Sequence, residues 1–153
     1  MSDDKLRLNQ QLCFPLYAAS NMLTRLYRPL LADLGLTYPQ YLVMLRLWEA
    51  APQTVGELGR SLHLDAGTLT PLLKRLQNAG LVTRQRNPHD ERSVDIDLTE
   101  QGWALKQRAQ SVPEAMLCQV PLPPKELAKL RDGLRALLDA LATVDPRNSG
   151  HSE

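Results

Sequence analysis

The chain has 153 residues, a length that suits one domain with an attached assembly element; 43% hydrophobic but only 5% aromatic residues point to a leucine-rich helical core. A formal net charge of +1, from 18 basic and 17 acidic side chains, gives no global basicity, so any nucleic-acid surface has to be local. No charged leader precedes an apolar run and no apolar stretch approaches membrane-spanning length, which predicts a soluble, cytoplasmic protein with no membrane partner.

Leucines and alanines at 12, 16, 19, 23, 26, 30 and 34 recur at helical spacing and predict one long helix from Leu6 to Leu34, with Pro15 early and Pro29 inside it. Gly35 stops that helix, and Thr37 caps a second that runs to about Ala50. Two short helices follow. Thr54 and Glu57 form a capping box for the first, which turns Val55, Leu58 and Leu62 inward. Asp65 caps the second, with Leu69, Leu72, Leu73 and Leu76 on one side and Gly80 at its end. "LVTRQR" and "SVDIDL" alternate like strands, and "NPHDER" joins them as a hairpin loop. Thr99 with Gln101 and Gly102 opens a helix through about Cys118, "VPLPP" interrupts, and leucines at 127, 130, 134, 137, 138 and 141 mark a final amphipathic helix. The terminal "DPRNSGHSE" is expected to fray. Trp48 and Trp103 read as core anchors.

Two short helices around a tight turn, then a two-stranded hairpin, are the winged helix-turn-helix arrangement. The fold class expected is therefore mainly α (α+β), with long N- and C-terminal helices left over for dimerisation. The second short helix leaves Thr68, Thr70, Lys74, Arg75, Gln77 and Asn78 off its leucine face. Hydroxyls near its start can reach base edges, while Lys74 and Arg75 can neutralise phosphates. Between Ala66 and Ser93, Lys74, Arg75, Arg84, Arg86 and Arg92 outnumber Asp90 and Glu91, a local basic surface. Asp90 stands two residues before Arg92, close enough to bond its guanidinium and hold it extended for a narrow minor groove. The bland alternative is a solvated helix face with a charged hairpin; three mutually consistent elements favour double-stranded DNA.

"GLVTRQRNPHDERSVDIDLTEQG" resembles the wing of the MarR family of dimeric bacterial transcription regulators. "LCFPLY", "TRLYRPLL", "LTYPQYLVMLRLWE", "LDAGTLTPLLKRL" and "DERSVDIDLTEQG" are similar, in order and spacing, to its organic-hydroperoxide-sensing OhrR branch. The likeness covers residues 9 to 105 well and is diffuse beyond. It implies a single MarR-type domain with dimerisation helices over 5–36 and 99–145, a winged helix-turn-helix over 37–98 and a tail over 146–153. It also implies a homodimer that is not an enzyme and that, when reduced, represses from a pseudo-palindromic DNA operator.

The resemblance further places the sensing thiol at Cys13, its hydrogen-bond partners at Tyr27 and Tyr38, and a resolving thiol at Cys118 that forms a disulfide with the partner subunit's sensing cysteine. An organic hydroperoxide would be the covalent inducer. By the residues alone, a buried filler and a redox-responsive thiol both remain open for each cysteine. A thiol attacks peroxide as thiolate, and an ordinary cysteine, with pKa about 8.5, is only a few per cent ionised at pH 7. Each hydrogen bond to a charged group contributes roughly 1.5–3 kcal/mol, so two phenolic donors favour the reactive form.

Geometry adds a constraint. Tyr27 lies fourteen residues beyond Cys13, about 21 Å along a helix that rises 1.5 Å per residue. A tyrosine hydroxyl reaches only about 6–7 Å from its Cα, so if both phenols touch Cys13 the first helix most simply packs antiparallel against its copy, with the tyrosines arriving from the other subunit. His63, His89 and His151 share no metal-ligand spacing with each other or with the cysteines, so no metal and no cofactor are assigned. Rival readings are a MarR-type repressor released by a non-covalent phenolic ligand with structural cysteines, a thiol peroxidase, and a winged-helix protein–protein module.

Overall fold

A computed structural model describes residues 3–145, and the expected tail over 146–153 lies outside them. Two 3-10 turns, Asp3–Leu6 and Leu8–Gln10, precede helix α1, Cys13–Ala32. The helix expected from Leu6 therefore begins later. Pro15 accounts for the difference: in the first turn of α1 its missing N–H leaves no bond unmade, whereas in a helix from Leu6 it would sit in the interior. The Gln11 amide holds the leading turns by donating to the carbonyls of Lys5 and Arg7.

Gly35 ends this segment in the left-handed region at φ +68°, and the Leu36 N–H returns to the Leu31 carbonyl. Thr37 and Gln40 then cap α2, Tyr38–Ala50, reciprocally. A two-residue strand β1, Gln53–Thr54, leads into α3, Val55–Leu62, through the Thr54–Glu57 capping box. Asp65 accepts from the Thr68 N–H at 2.7 Å and starts α4, Ala66–Asn78, which runs through Pro71 without a break. Gly80, at φ +77°, turns the chain into the hairpin of β2, Val82–Asn87, and β3, Asp90–Leu98. The sheet order is β1-β3-β2, all antiparallel. β1 was outside the expected elements because two residues are too short to show an alternation.

Beyond the sheet lie α5, Glu100–Ala109, α6, Val112–Leu117, and α7, Pro124–Ala142. The single helix expected from Thr99 to about Cys118 is thus two. Pro113 lacks an N–H and would press its ring on the Ala109 carbonyl; as an early residue of α6 it does neither harm.

The chain divides into two compact units, one up to Leu117 and one from Cys118. In the first, Leu31, Val43, Met44, Leu47, Leu58, Leu69, Leu73, Leu76 and Ile96 are fully buried and weld α1, α2, α3, α4 and the sheet together. In the second, α7 buries none of its residues, and Leu130, Leu138 and Leu141 are exposed.

Trp48 is buried, and its indole N–H donates to the Gly102 carbonyl at 2.9 Å, pinning α2 to α5. Trp103 is no core anchor: it is 45% exposed, with the Lys106 ammonium 5.6 Å from its ring centroid. Gly102 is also where α5 meets the sheet. A β-carbon there would run into the Leu81 carbonyl, while the Thr99 hydroxyl donates to the Gly80 carbonyl at 2.6 Å and accepts from the Gly102 N–H at 3.0 Å. Gly102→Ala should therefore destabilise the protein by about 1–3 kcal/mol, the usual range for overpacking. Equilibrium urea unfolding measures it, and a midpoint equal to wild type would show that the α5–Leu81 approach has slack.

Candidate functional site

The first cluster grows out of the α1–α2 turn. Tyr27 lies in the last turns of α1, Tyr38 opens α2, and Tyr41 follows one turn on. The left-handed Gly35 folds α2 back so that the Tyr27 and Tyr38 ring centroids stand 4.6 Å apart, with Tyr41 at 5.8 Å and 6.4 Å from them. Tyr41 is buried; the other two are half-buried. Desolvation, and then the neighbouring Tyr38 and Tyr41 phenols, push the Tyr27 hydroxyl up to about 12, and burial likewise raises Tyr38 and Tyr41. All three stay protonated donors at neutral pH. Among the described residues no hydrogen bond engages their hydroxyls.

Cys13 is the first residue of α1, at the other end of the helix that carries Tyr27. It is exposed, as is Cys118, so neither fills the core of its own chain. Near Cys13 the apolar side chains of Leu12, Phe14, Leu16 and Tyr17 are uncovered too, and further along α1 so are Met22 and Leu23. So many large apolar side chains left uncovered on one helix mark it as a contact element. Tyr27 and Tyr38 are brought together; Cys13 of the same chain is not brought to them.

The second cluster is the winged surface. On α4, Leu69, Leu72, Leu73 and Leu76 are buried, and Thr68, Thr70, Lys74 and Arg75 are exposed. At about 100° per residue, the stripe opposite the leucines runs through Gly67, Thr70, Pro71, Lys74 and Asn78, with Thr68 and Arg75 on its flank. Gly67 was not singled out in the sequence, although the same arithmetic places it, with Pro71, at the stripe's centre.

On the wing, Arg84 pairs with Ile96 and Arg86 with Val94 across the ladder. Opposed residues share a face, so both arginines leave the sheet on the core side. Near the base this makes Arg84 half-buried, with its Nε enclosed and without a partner; nearer the tip Arg86 is exposed. Asp90 and Arg92 are exposed, but the contact between them differs from the expected one. Asp90 Oδ1 accepts from the backbone N–H of Arg92 at 3.0 Å, not from the guanidinium, so the carboxylate shapes the turn rather than gripping the side chain. Asn87 completes that turn by accepting from the His89 N–H at 2.8 Å and donating to Asp95 at 3.2 Å.

One open cavity of about 280 Å³ lies between α2 and the α5–α6 segment, lined by Tyr41, Leu45, Trp48, Lys106, Ala109 and Pro113. Among the described residues there is no cluster of histidine, cysteine and acidic side chains that could hold a metal, and no helix long and apolar enough to cross a membrane.

A helix-turn-helix with a basic hairpin beside it defines a winged-helix DNA-binding regulator. The MarR family model matches residues 36–94. The organic hydroperoxide resistance transcriptional regulator of Bacillus subtilis is 48% identical over 138 residues, covering 90% of this chain and 94% of that protein. The HTH-type transcriptional regulator TtmR of Methylorubrum extorquens is 47% identical, covering 91% of this chain and 71% of that one. Reduced AbfR bound to DNA superposes with a TM-score of 0.77 at 38% identity, over 94% of this chain and 99% of AbfR. Disulfide-formed AbfR gives 0.61 at 40% identity, over 89% and 96%. The chain belongs to the MarR family of transcription regulators, which are not enzymes.

The tyrosine cluster generates a pH test. A phenol whose native pKa is raised contributes stability that is complete below the ordinary value of 10.0 and is lost as the pH climbs towards about 12. Wild-type Tm should therefore fall across that window, and fall less in Tyr27→Phe. Equal falls in the two proteins would mean that Tyr27 is not desolvated.

Proposed function

We propose that this protein is a redox-sensing repressor whose reduced homodimer binds a pseudo-palindromic DNA operator and releases it when an organic hydroperoxide oxidises Cys13. The observation that carries the reading is a separation. One continuous helix sets Cys13 and Tyr27 at opposite ends, while Tyr27 and Tyr38 sit together with unengaged, protonated hydroxyls. An antiparallel second copy of α1, packed on the uncovered apolar face around Cys13, brings two phenols to each sulfur. The exposed leucines of α7 supply a second apolar face for the same assembly. In this reading residues 5–36 and 99–145 dimerise and residues 37–98 carry the DNA-binding head.

The chemistry balances. The Cys13 thiolate attacks one oxygen of the hydroperoxide, the O–O bond breaks, and with one proton the products are a sulfenic acid and an alcohol. The Cys118 thiol then attacks the sulfenic sulfur; water leaves, and a disulfide joins Cys13 to Cys118 of the partner chain. A disulfide demands sulfur atoms about 2.05 Å apart, a constraint able to move the long helices and spoil the roughly 34 Å spacing of two reading helices. In the reduced dimer, Thr68 and Thr70 of α4 face bases, Lys74 and Arg75 face phosphates, and Arg86 and Arg92 of the wing reach the adjacent minor groove. Arg84 steadies the base of the wing. Support also comes from the relatives, one of which is a regulator of organic hydroperoxide resistance and another of which is known both DNA-bound when reduced and disulfide-formed.

A second reading, release by a non-covalent phenolic ligand, finds support in the cavity beside Tyr41 and Trp48. Two experiments separate them. After organic hydroperoxide, non-reducing gels should show a crosslinked dimer for wild type and none for Cys118→Ser. Cys13→Ser should bind DNA and stay bound under peroxide. If Cys13→Ser is released by peroxide like wild type, the thiol is not the sensor; if a phenol releases Cys13→Ser, the cavity is.

A further inference from the structure

The outward stripe of α4 holds two residues that a stable helix avoids, a glycine and a proline, and nothing in the fold asks for either. Gly67 is not among the glycines at positive φ, and a β-carbon on it would meet only Asp65 Oδ1, at an ordinary 3.5 Å. Pro71 stands inside the helix, exposed, and the helix continues past it. The two are four residues apart. In an α-helix the N–H of residue 71 would donate to the carbonyl of residue 67, so these are the acceptor and the missing donor of one and the same hydrogen bond. Among the described residues no side chain donates to that carbonyl in its place.

We infer that the Gly67 carbonyl is a base-reading acceptor: Pro71 offers it no N–H, the pressure of the proline ring turns it outward from the helix axis, and the absent side chain of Gly67 lets it approach an amino group in the major groove. Cytosine N4 and adenine N6 are the donors that the major groove offers to such an acceptor, whereas guanine and thymine present acceptors at the corresponding edge. Thr70 and Lys74 flank the carbonyl on the same exposed stripe. The helix thus reads with its backbone at the position where it lacks a side chain. This rests on the reading that α4 enters the groove, and the experiment separates the two.

The test uses the full-length reduced protein. Wild type selects a preferred duplex from a randomised pool. Binding of wild type, Gly67→Ala and Pro71→Ala to that duplex and to an unrelated duplex of equal length is then measured by fluorescence anisotropy at one salt concentration. Both substitutions favour helix, so the folded state persists and circular dichroism verifies it. Each variant should lose about ten-fold in affinity for the selected duplex and change by less than about two-fold on the unrelated one. Reselection with Pro71→Ala should lose the preference for cytosine or adenine at one position of each half-site. Pro71→Ala that binds the selected duplex within about two-fold of wild type, or reselects the same sequence at full strength, overturns the role of the carbonyl. Lys74→Ala serves as the control: if it too leaves the selected duplex unaffected, the placement of α4 in the groove is what fails.

Discussion

The constraint on which everything else depends is the stiffness of α1. A helix that runs unbroken from Cys13 to Ala32 fixes the distance between its first sulfur and its late tyrosine, and Pro29 does not interrupt it. Tyr38 and Tyr41 are tied to Tyr27 by ring contacts and by the Gly35 turn, so they share its end of the helix. In the proposed reading the chain carries half of a site at each end of one rod. Two half-sites at opposite ends of a rod become whole sites when the rod meets its own antiparallel copy, and a two-fold axis makes both at once.

The winged part is built on different means. Each of its short helices is started by a side-chain cap, Thr54 with Glu57 and Asp65 with Thr68, and is held by leucines that reach a single core. α5 is tied to α2 and to the end of α1 through side chain–backbone bonds: Trp48 donates to Gly102, Lys106 to the Trp48 carbonyl and Arg108 to the Asp33 carbonyl. A displacement of α1 therefore meets a helix that also carries the wing's Leu81–Gly102 contact, rather than a loose linker.

Local rules were legible in the sequence wherever one residue decides one bond. Thr37, Thr54, Asp65, Gly35 and Gly80 each act as their types predict. What was not legible depends on tertiary partners or on competing local effects. The helical spacing that starts at Leu12 suggested one helix from Leu6, but Pro15 fixed the start later; Pro113 split the helix expected from Thr99 to about Cys118. Trp103 looked like Trp48, and only the packing of α5 tells which indole is buried. The outward stripe of α4 was computable from 3.6-residue geometry, yet Gly67 escapes notice when one looks for side chains that touch DNA. Tyr27 and Tyr38 came from resemblance alone, and Tyr41 was not picked out, since aromatic residues at 27, 38 and 41 carry no spacing signal across a turn.

Mixed dimers measure the central claim most directly. One subunit carries Cys13→Ser with its tyrosines intact, and the other carries Tyr27→Phe and Tyr38→Phe with its cysteine intact. If the phenols act across the two-fold axis, the lone Cys13 of the mixed dimer faces two intact tyrosines and reacts with organic hydroperoxide as fast, per thiol, as in wild type. A rate as slow as that of the homodimer bearing both tyrosine substitutions would contradict it, because the sulfur would then be served by its own chain.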